Sequence, residues 1–156
     1  MFHSVYKTHV VIARFFNTYG PGMPRFVVLD FLKKMQRDLF RLEVMGSGLQ
    51  RRDFNYVEDT VQGLLVLGEH GVGGEAYNIA AGVSHSVTDL ARLVIDVRGC
   101  TGKTTLSFTG ESWPGDAQYW EVDISKVRAL GYGPCIQLRG GVEKVAEWFD
   151  VVYGTV

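Results

Sequence analysis

A short apolar run near the start of the chain constrains the fold most. Residues 9–16 read HVVIARFF, with Val and Ile at the centre. A nearly continuous apolar run of this length is typical of a strand that is buried on both faces of a parallel sheet. Such a strand needs neighbouring strands and covering helices, and only eight residues precede it here. We therefore expect a mixed α/β protein with one or more orphaned sheet strands that belong to a larger sheet.

The rest of the chain alternates helical and extended patterns. Apolar residues at spacings of three and four follow Pro24 and predict an amphipathic helix that begins at this proline. Ser86 and Asp89 form a capping-box pattern that predicts the start of another helix, and Asp123 is expected to cap a short one. Further helices are expected after Val57 and near the end of the chain, and further strands at residues 42–45, 52–56, 76–80 and 104–108.

Composition excludes several classes of function. The formal net charge is −1, so there is no general electrostatic attraction to nucleic acid or to an anionic membrane. No apolar run approaches the roughly 20 residues of a membrane span, and the first residues lack a signal pattern. Cys100 and Cys135 have neither disulfide-framework nor metal-ligand spacing. We expect a cytoplasmic protein without a metal, nucleic-acid or membrane partner.

Two glycine-rich segments imitate phosphate-binding loops. Residues 68–74 (GEHGVGG) have the letters of a dinucleotide fingerprint, which needs a strand before it and a helix after it. The predicted order here is the reverse, so this segment is interpreted as a helix-to-strand turn. Residues 99–104 (GCTGKT) are similar to a P-loop, but Val97 stands where its first glycine belongs.

Two other segments are the most informative for function. Residues 14–22 read RFFNTYGPG, and residues 46–59 read GSGLQRRDFNYVED. Arg51 and Arg52 in the second segment supply guanidinium groups, which match anionic groups such as phosphates in charge and geometry. Ligands of open α/β sheets gather beyond the carboxyl ends of strands, and Asn17 directly follows the apolar run.

These segments resemble the extended short-chain dehydrogenase/reductase family, the NAD-dependent epimerases and dehydratases of nucleotide-sugars. In that family the second segment reads Gly-x-Gly-x-Gln-x-Arg-Asp-Phe-x-Tyr-Val-x-Asp, and this chain matches every fixed position. The resemblance covers nearly all of residues 6–150 but about half of a typical member. It implies the C-terminal part of a Rossmann-type enzyme. Residues 1–156 would be a single substrate-binding domain, with 1–16 a remnant of the cofactor-domain helix and strand and 17–156 the nucleotide-sugar-binding region.

The resemblance also implies substrate contacts. Arg52 would reach the diphosphate, and the Asn17 carboxamide would meet a phosphate or the sugar. Val44 and Met45 would pass beside the base. Asp53 and Asp59, by the same resemblance, would be mostly structural.

Nearer the C-terminus, a Pro-Gly-Asp sequence that ends at Asp116 continues the match and adds Asp116 to the expected substrate contacts. Trp113 occupies the position of an arginine that the family uses as a second phosphate ligand. Trp113 can stack on a ring but cannot neutralise a phosphate, and one lost charge-assisted contact weakens binding by roughly 1.5–3 kcal/mol. Phe15 would lie near the nicotinamide if a cofactor domain were supplied.

The family's chemistry requires a Tyr-x-x-x-Lys pair, in which the lysine lowers the pKa of the tyrosine. No tyrosine of this chain has a lysine four residues later. We therefore expect no catalytic residue, no bound cofactor and no activity in this chain alone, although the intact family enzyme uses NAD or NADP. The alternative is a non-catalytic nucleotide-sugar-binding domain or an oligomerising structural domain. Besides a nucleoside diphosphate sugar, the expected partners are further copies of the chain or a complementing cofactor-domain chain.

Overall fold

The computed structural model describes residues 2–111 and 115–154. Its strands are β1 (Ile12–Phe15), β2 (Asn17–Tyr19), β3 (Arg41–Val44), β4 (Arg51–Tyr56), β5 (Ala76–Ile79), β6 (Ser84–Ser86) and β7 (Thr105–Phe108). Its helices are α1 (Phe2–Tyr6), α2 (Val27–Arg37), α3 (Val57–His70), α4 (Val87–Val97), α5 (Ser125–Arg128) and α6 (Leu138–Tyr153). The expected mixed α/β class is confirmed.

Within the described residues, the strands form three small sheets. Strand β1 pairs with β5 in parallel, and β3 pairs with β7 in parallel. In the third sheet β4 is central, with β2 parallel on one side and β6 antiparallel on the other. Strand β4 therefore connects the segment after β1 with the segment before α4.

The main core lies where helices α2, α4 and α6 pack together beside the sheets. The apolar stripe predicted for α2 is confirmed, because Val28, Leu32 and Met35 are all buried. Each such side chain contributes roughly 1.5–3 kcal/mol to folding when it leaves water. Phe149 of α6 and Val94 of α4 are fully buried in the same cluster.

The β1 region exposes apolar surface. Ile12 and Phe15 are about half exposed, at 50% and 51%, and within the described part of the chain β1 pairs with β5 alone. The exposed surface continues onto α3, where Val57, Val61 and Leu64 lie at spacings of four and three and are all exposed. The pairing of β1 with β5 agrees with the expected orphaned strand, whereas the sequence did not predict that the exposed apolar surface continues onto a helix.

Helix α2 begins at Val27, so its predicted start at Pro24 was wrong. Phe26 is instead the N-cap residue, with an extended backbone at φ −168°. In this conformation its ring stacks on Tyr19 at 5.9 Å and meets the edge of Phe54 at 6.0 Å. Because this aromatic packing holds Phe26 in an extended conformation, the helix begins only at the next residue, Val27.

Two local predictions of turns and caps are confirmed. Ser86 Oγ accepts from the Asp89 amide at 3.0 Å, and the Asp89 carboxylate accepts from the Ser86 amide at 3.4 Å, which completes the capping box. Residues 68–74 join the end of α3 to β5, a helix-to-strand turn. The predicted cap at Asp123 was wrong by one position, because Ile124 is the N-cap residue of α5, although the Asp123 carboxylate accepts from the Ser125 amide at 2.8 Å.

Candidate functional site

Strand β4 brings the two informative segments together. Asn17 begins β2 and lies opposite Phe54 of β4 in the parallel register. The Asn17 side-chain Nδ2 donates to the Asp53 backbone oxygen at 3.1 Å. This bond fixes the Asn17 carboxamide on the strand that also carries Arg52.

A cavity of about 350 Å³ opens beside these strands, within the size range of small-molecule sites. Four of the six predicted substrate residues line it together: Asn17, Met45, Arg52 and Asp116. The other described lining residues are Phe26, Val27, Asp30, Phe31, Gln50, Phe54 and Val87. The cavity therefore has an apolar wall from the start of α2 and a polar end around Arg52.

The remaining predicted residues lie elsewhere. Val44 does not line the cavity, because its side chain is fully buried in the core. Successive side chains of an extended segment point to opposite sides, so Val44 and Met45 cannot share one surface. Phe15 lies half exposed on β1, outside the cavity. Trp113 falls outside the described residues.

The Arg52 guanidinium is tightly held at the polar end of the cavity. Its Nη2 lies 2.5 Å from Asp116 Oδ1, and its Nη1 donates to the Arg51 backbone oxygen at 2.8 Å. The guanidinium carbon also lies over the Trp120 ring, 5.4 Å from its centroid. Residues 115–120 run beside β4, where the Trp120 amide donates to the Arg51 oxygen at 3.2 Å. The position of this segment beside β4 places the Asp116 carboxylate next to the Arg52 guanidinium.

Asp53 and Asp59 hold the backbone rather than line the cavity. Asp53 accepts from the amides of three consecutive residues, Ala81 at 2.8 Å, Gly82 at 2.6 Å and Val83 at 3.2 Å. Burial raises the pKa of Asp53, although these three donors and His85 act in the opposite direction. The carboxylate thereby fixes the turn between β5 and β6.

Asp59 fixes the loop before helix α6. Its two carboxylate oxygens accept from the amides of Cys135 at 2.9 Å and Ile136 at 3.0 Å. Both contacts cross more than seventy residues of sequence, so neither was visible from the motif alone.

The second glycine of the Gly-x-Gly pair has a steric role. Gly48 has φ +73°, a region that favours glycine, and a Cβ there would lie 2.4 Å from Thr88 Oγ1 and 2.5 Å from the Phe108 ring. The Thr88 hydroxyl donates to the Gly48 oxygen at 2.9 Å. This close approach joins the motif to α4 and β7.

Gln50 is the polar cavity residue that the sequence analysis missed. It is only 4% exposed, and its Nε2 lies 3.4 Å from Asp116 Oδ2. Its buried Oε1 has no hydrogen-bond partner among the described residues. The signal was present, because glutamine is a fixed position of the family pattern.

A larger cavity of about 450 Å³ lies by the first turns of α4 and α6. None of the predicted substrate residues that the structure describes lines it. Two charged side chains that line it already have partners, since Asp89 caps α4 and Arg139 pairs with Asp96 at 2.6 Å. We therefore place the candidate site at the smaller cavity.

Residues 2–111 and 115–154 contain no group of three His, Cys, Asp or Glu side chains that could hold a metal ion. Within these ranges, no helix combines the length and the apolar content needed to cross a bilayer.

Comparison with known proteins defines the class. The family model described as "NAD dependent epimerase/dehydratase family" matches residues 2–80, half of the chain. The chain belongs to this family, and the resemblance read from the two segments is confirmed.

Individual relatives agree. The chain is 33% identical over 152 residues to the dTDP-D-glucose 4,6-dehydratase of Mus musculus, and this match covers 92% of this chain and 42% of the relative. It is 36% identical over 145 residues to UDP-glucuronic acid decarboxylase 1 of Xenopus tropicalis, covering 90% of this chain and 33% of the relative. The chain thus spans less than half the length of these curated relatives.

Among solved structures, the chain resembles UDP-glucuronic acid 4-epimerase from Bacillus cereus in complex with UDP-glucuronic acid and NAD. The TM-score is 0.85 at 30% identity, and the match covers 97% of this chain and 48% of the other. The structural neighbours are Rossmann-type epimerase and dehydratase domains. The expected fold, part of a Rossmann-type protein, is confirmed.

Proposed function

We propose that this chain is the substrate-binding half of an NAD-dependent nucleotide-sugar epimerase or dehydratase, and that its smaller cavity binds a nucleoside diphosphate sugar. One observation carries the proposal: Asn17, Met45, Arg52 and Asp116, which come from three separate segments of the sequence, line a single cavity. The relatives support it, because their names specify dTDP-glucose and UDP-glucuronic acid. The domain would extend over residues 1–156, with 1–16 as the remnant of the cofactor domain.

Each side chain has a proposed role. Arg52 contacts the diphosphate, since a guanidinium matches phosphate oxygens in charge and geometry. The Asn17 carboxamide, fixed by its bond to β4, contacts a phosphate or the sugar. Met45 packs beside the base, whereas Val44 supports this contact from the core. Trp113 stays a predicted ring-stacking contact.

The chain alone does not fit a dinucleotide cofactor. The glycine-rich residues 68–74 begin in the last residues of α3 and precede β5, which is the reverse of the strand-then-helix order that a pyrophosphate site needs. The cofactor would be held by the other half of the family's length, with Phe15 beside its nicotinamide. We therefore propose that the isolated chain binds ligand without turnover. Purified chain with NAD and UDP-glucose or dTDP-glucose is expected to form no product, and measurable turnover would contradict this.

A partner would cover the exposed β1 and α3 surface. The open edge of β1, with Ile12 and Phe15 half exposed, favours association with a complementing cofactor domain or with a second copy of the chain. A purely structural, oligomerising role is the second candidate, and this surface is the observation that favours it. A cytoplasmic location stays a prediction from the sequence.

Isothermal titration of the chain with UDP-glucose and dTDP-glucose tests ligand binding. Arg52→Gln is expected to weaken binding about tenfold to a hundredfold, because it removes a charge-assisted contact. Arg51→Gln is the matched control, since Arg51 is adjacent, carries the same charge and does not line the cavity. Thermal unfolding of each variant checks that the fold is intact. Absence of binding, or equal losses in the two variants, would reject the nucleotide-sugar site and leave the structural role.

A further inference from the structure

The charge in the proposed site does not suit a diphosphate as it stands. The ionisable side chains among the described lining residues are Asp30, Arg52 and Asp116, two carboxylates and one guanidinium. Asp30 is 56% exposed and paired with Lys34 at 2.9 Å, so water and that lysine screen it. Asp116 is only 5% exposed and is paired with Arg52, so water screens its charge little and the pair leaves the polar end of the cavity without a net positive charge.

Asp116 occupies the position on Arg52 that a phosphate oxygen would take. The guanidinium is 14% exposed, with Nη2 on Asp116 and Nη1 on the Arg51 backbone oxygen. A bidentate contact through these two terminal nitrogens is the strong mode of binding phosphate. A guanidinium has five N–H donors and these two contacts use one on each terminal nitrogen, so a phosphate can also be bound while both acceptors stay. Asp116 competes through its negative charge, because a phosphate in this place must share Arg52 with a buried carboxylate.

Gln50 supports the same interpretation. An ionised carboxylate only accepts hydrogen bonds, so Asp116 turns the Gln50 amide nitrogen toward itself. This orientation leaves the buried Gln50 Oε1 without a partner among the residues that the structure describes. An unpaired buried acceptor is unfavourable, so the arrangement with Asp116 inside the site carries an internal cost. Withdrawal of Asp116 frees the amide nitrogen of Gln50 as well as Arg52.

We infer that Asp116 is an internal competitor for the diphosphate, which pairs with Arg52 in the absence of ligand and limits the affinity of the site. The inference rests on the proposed nucleotide-sugar function and gives Asp116 a role opposite to that of a ligand contact. It makes the residue a determinant of specificity: Asp116 disfavours anionic ligands more than neutral ones.

Titration calorimetry of the full chain with UDP and with uridine tests the inference. Asp116→Asn is expected to tighten UDP binding about tenfold, because the competing charge is removed, and to change uridine binding less than twofold. Asp30→Asn is the matched control, since it removes an equal charge from the same cavity at an exposed position, and about a twofold effect on UDP is expected from its screened charge. In an Arg52→Gln background, Asp116→Asn should no longer tighten UDP binding. Asp116→Ser provides a second, smaller replacement, and circular dichroism checks the fold of every variant.

The outcomes separate the two proposals. If the unmodified chain binds UDP and both Asp116 variants bind it more weakly, Asp116 is a direct ligand contact, so the inference fails and the proposed function stands. An effect of Asp116→Asn on UDP binding equal to that of Asp30→Asn also overturns the inference, because the effect would then follow from the total charge of the cavity and not from the pairing of Asp116 with Arg52. If neither the unmodified chain nor the folded Asp116 variants bind UDP, both proposals fail.

Discussion

Helix α6 packs against Tyr19 at Gly141, and we expect Gly141→Ala to destabilise the protein. Alanine is the better helix former by about 1 kcal/mol, so helix propensity alone predicts the opposite. A Cβ at this position would lie 2.1 Å from Tyr19 Oη and 2.9 Å from Tyr56 Cδ2, distances that real atoms do not adopt. Tyr19 is 2% exposed and its hydroxyl donates to the Leu138 oxygen at 3.2 Å, so the ring cannot withdraw without losing this bond and disturbing the core.

The expected magnitude follows from these opposing effects. Overpacking of a core costs about 1–3 kcal/mol, and loss of the tyrosine hydrogen bond adds about 1 kcal/mol. The gain in helix propensity offsets about 1 kcal/mol, so the free energy of unfolding should fall by about 1–3 kcal/mol. Urea denaturation followed by circular dichroism at the helix band measures this difference, provided that the slope with denaturant is unchanged.

Gly140→Ala is the matched control on the same turn of α6. A Cβ at Gly140 meets no heavy atom of the described residues within 4 Å, so this substitution should leave stability unchanged or raise it by up to about 1 kcal/mol. The two adjacent glycines are therefore expected to respond with opposite signs. If Gly141→Ala is as stable as the unmodified protein, or if both variants shift equally, the contact with Tyr19 does not explain the glycine.

Three further predictions concern stability and association. Asp59→Asn should lower the free energy of unfolding by about 1–3 kcal/mol, because one of the two backbone amides loses its acceptor. Glu58→Gln should change the free energy of unfolding by less than about 0.5 kcal/mol, because the pair of Glu58 with Lys144 is exposed. Urea denaturation of both variants measures the contrast, and equal effects would contradict it. Burial raises the pKa of Tyr132 to about 12, so its contribution to stability is complete below the unfolded-state pKa of about 10 and is lost as the pH rises from there toward 12. Tyr132→Phe should therefore lose less stability over this pH range, and parallel plots of unfolding free energy against pH for the two proteins would refute the assignment. The proposed self-association predicts that Leu64→Lys on the exposed stripe of α3 lowers the sedimentation coefficient without lowering the unfolding temperature. Equal sedimentation of the variant and the unmodified chain would exclude this surface as an interface between copies.

The sequence predicts the elements whose determinants are local. The stripe of α2 and the capping box at Ser86 depend on residues within a few positions of each other, and both are observed. The three-residue strands β2 and β6 were missed, because only pairing with β4 makes them strands. The start of α2 was misplaced for a similar reason, since the packing of Phe26 on distant rings overrides the preference of Pro24 for a helix start.

The candidate site divides in the same way. The family pattern identified Arg52 and Asn17, and the structure brings both to one cavity. The pairing of Arg52 with Asp116 joins residues 64 positions apart, so no spacing in the sequence could predict it. Sequence reasoning treated Asp116 as one more polar contact, whereas its charge and burial decide what the arginine can bind.

The motif of residues 46–59 determines the fold as much as the ligand. Asp53 fixes the turn between β5 and β6, Asp59 fixes the loop before α6, and Gly48 permits the approach of α4. From this segment, Gln50, Arg52 and Phe54 are the described side chains that line the cavity. A complete match to the motif therefore establishes the family more strongly than it establishes any one substrate. Differences in substrate between members should arise from the wall supplied by the start of α2 and from the segment that carries Asp116, where the motif places no constraint.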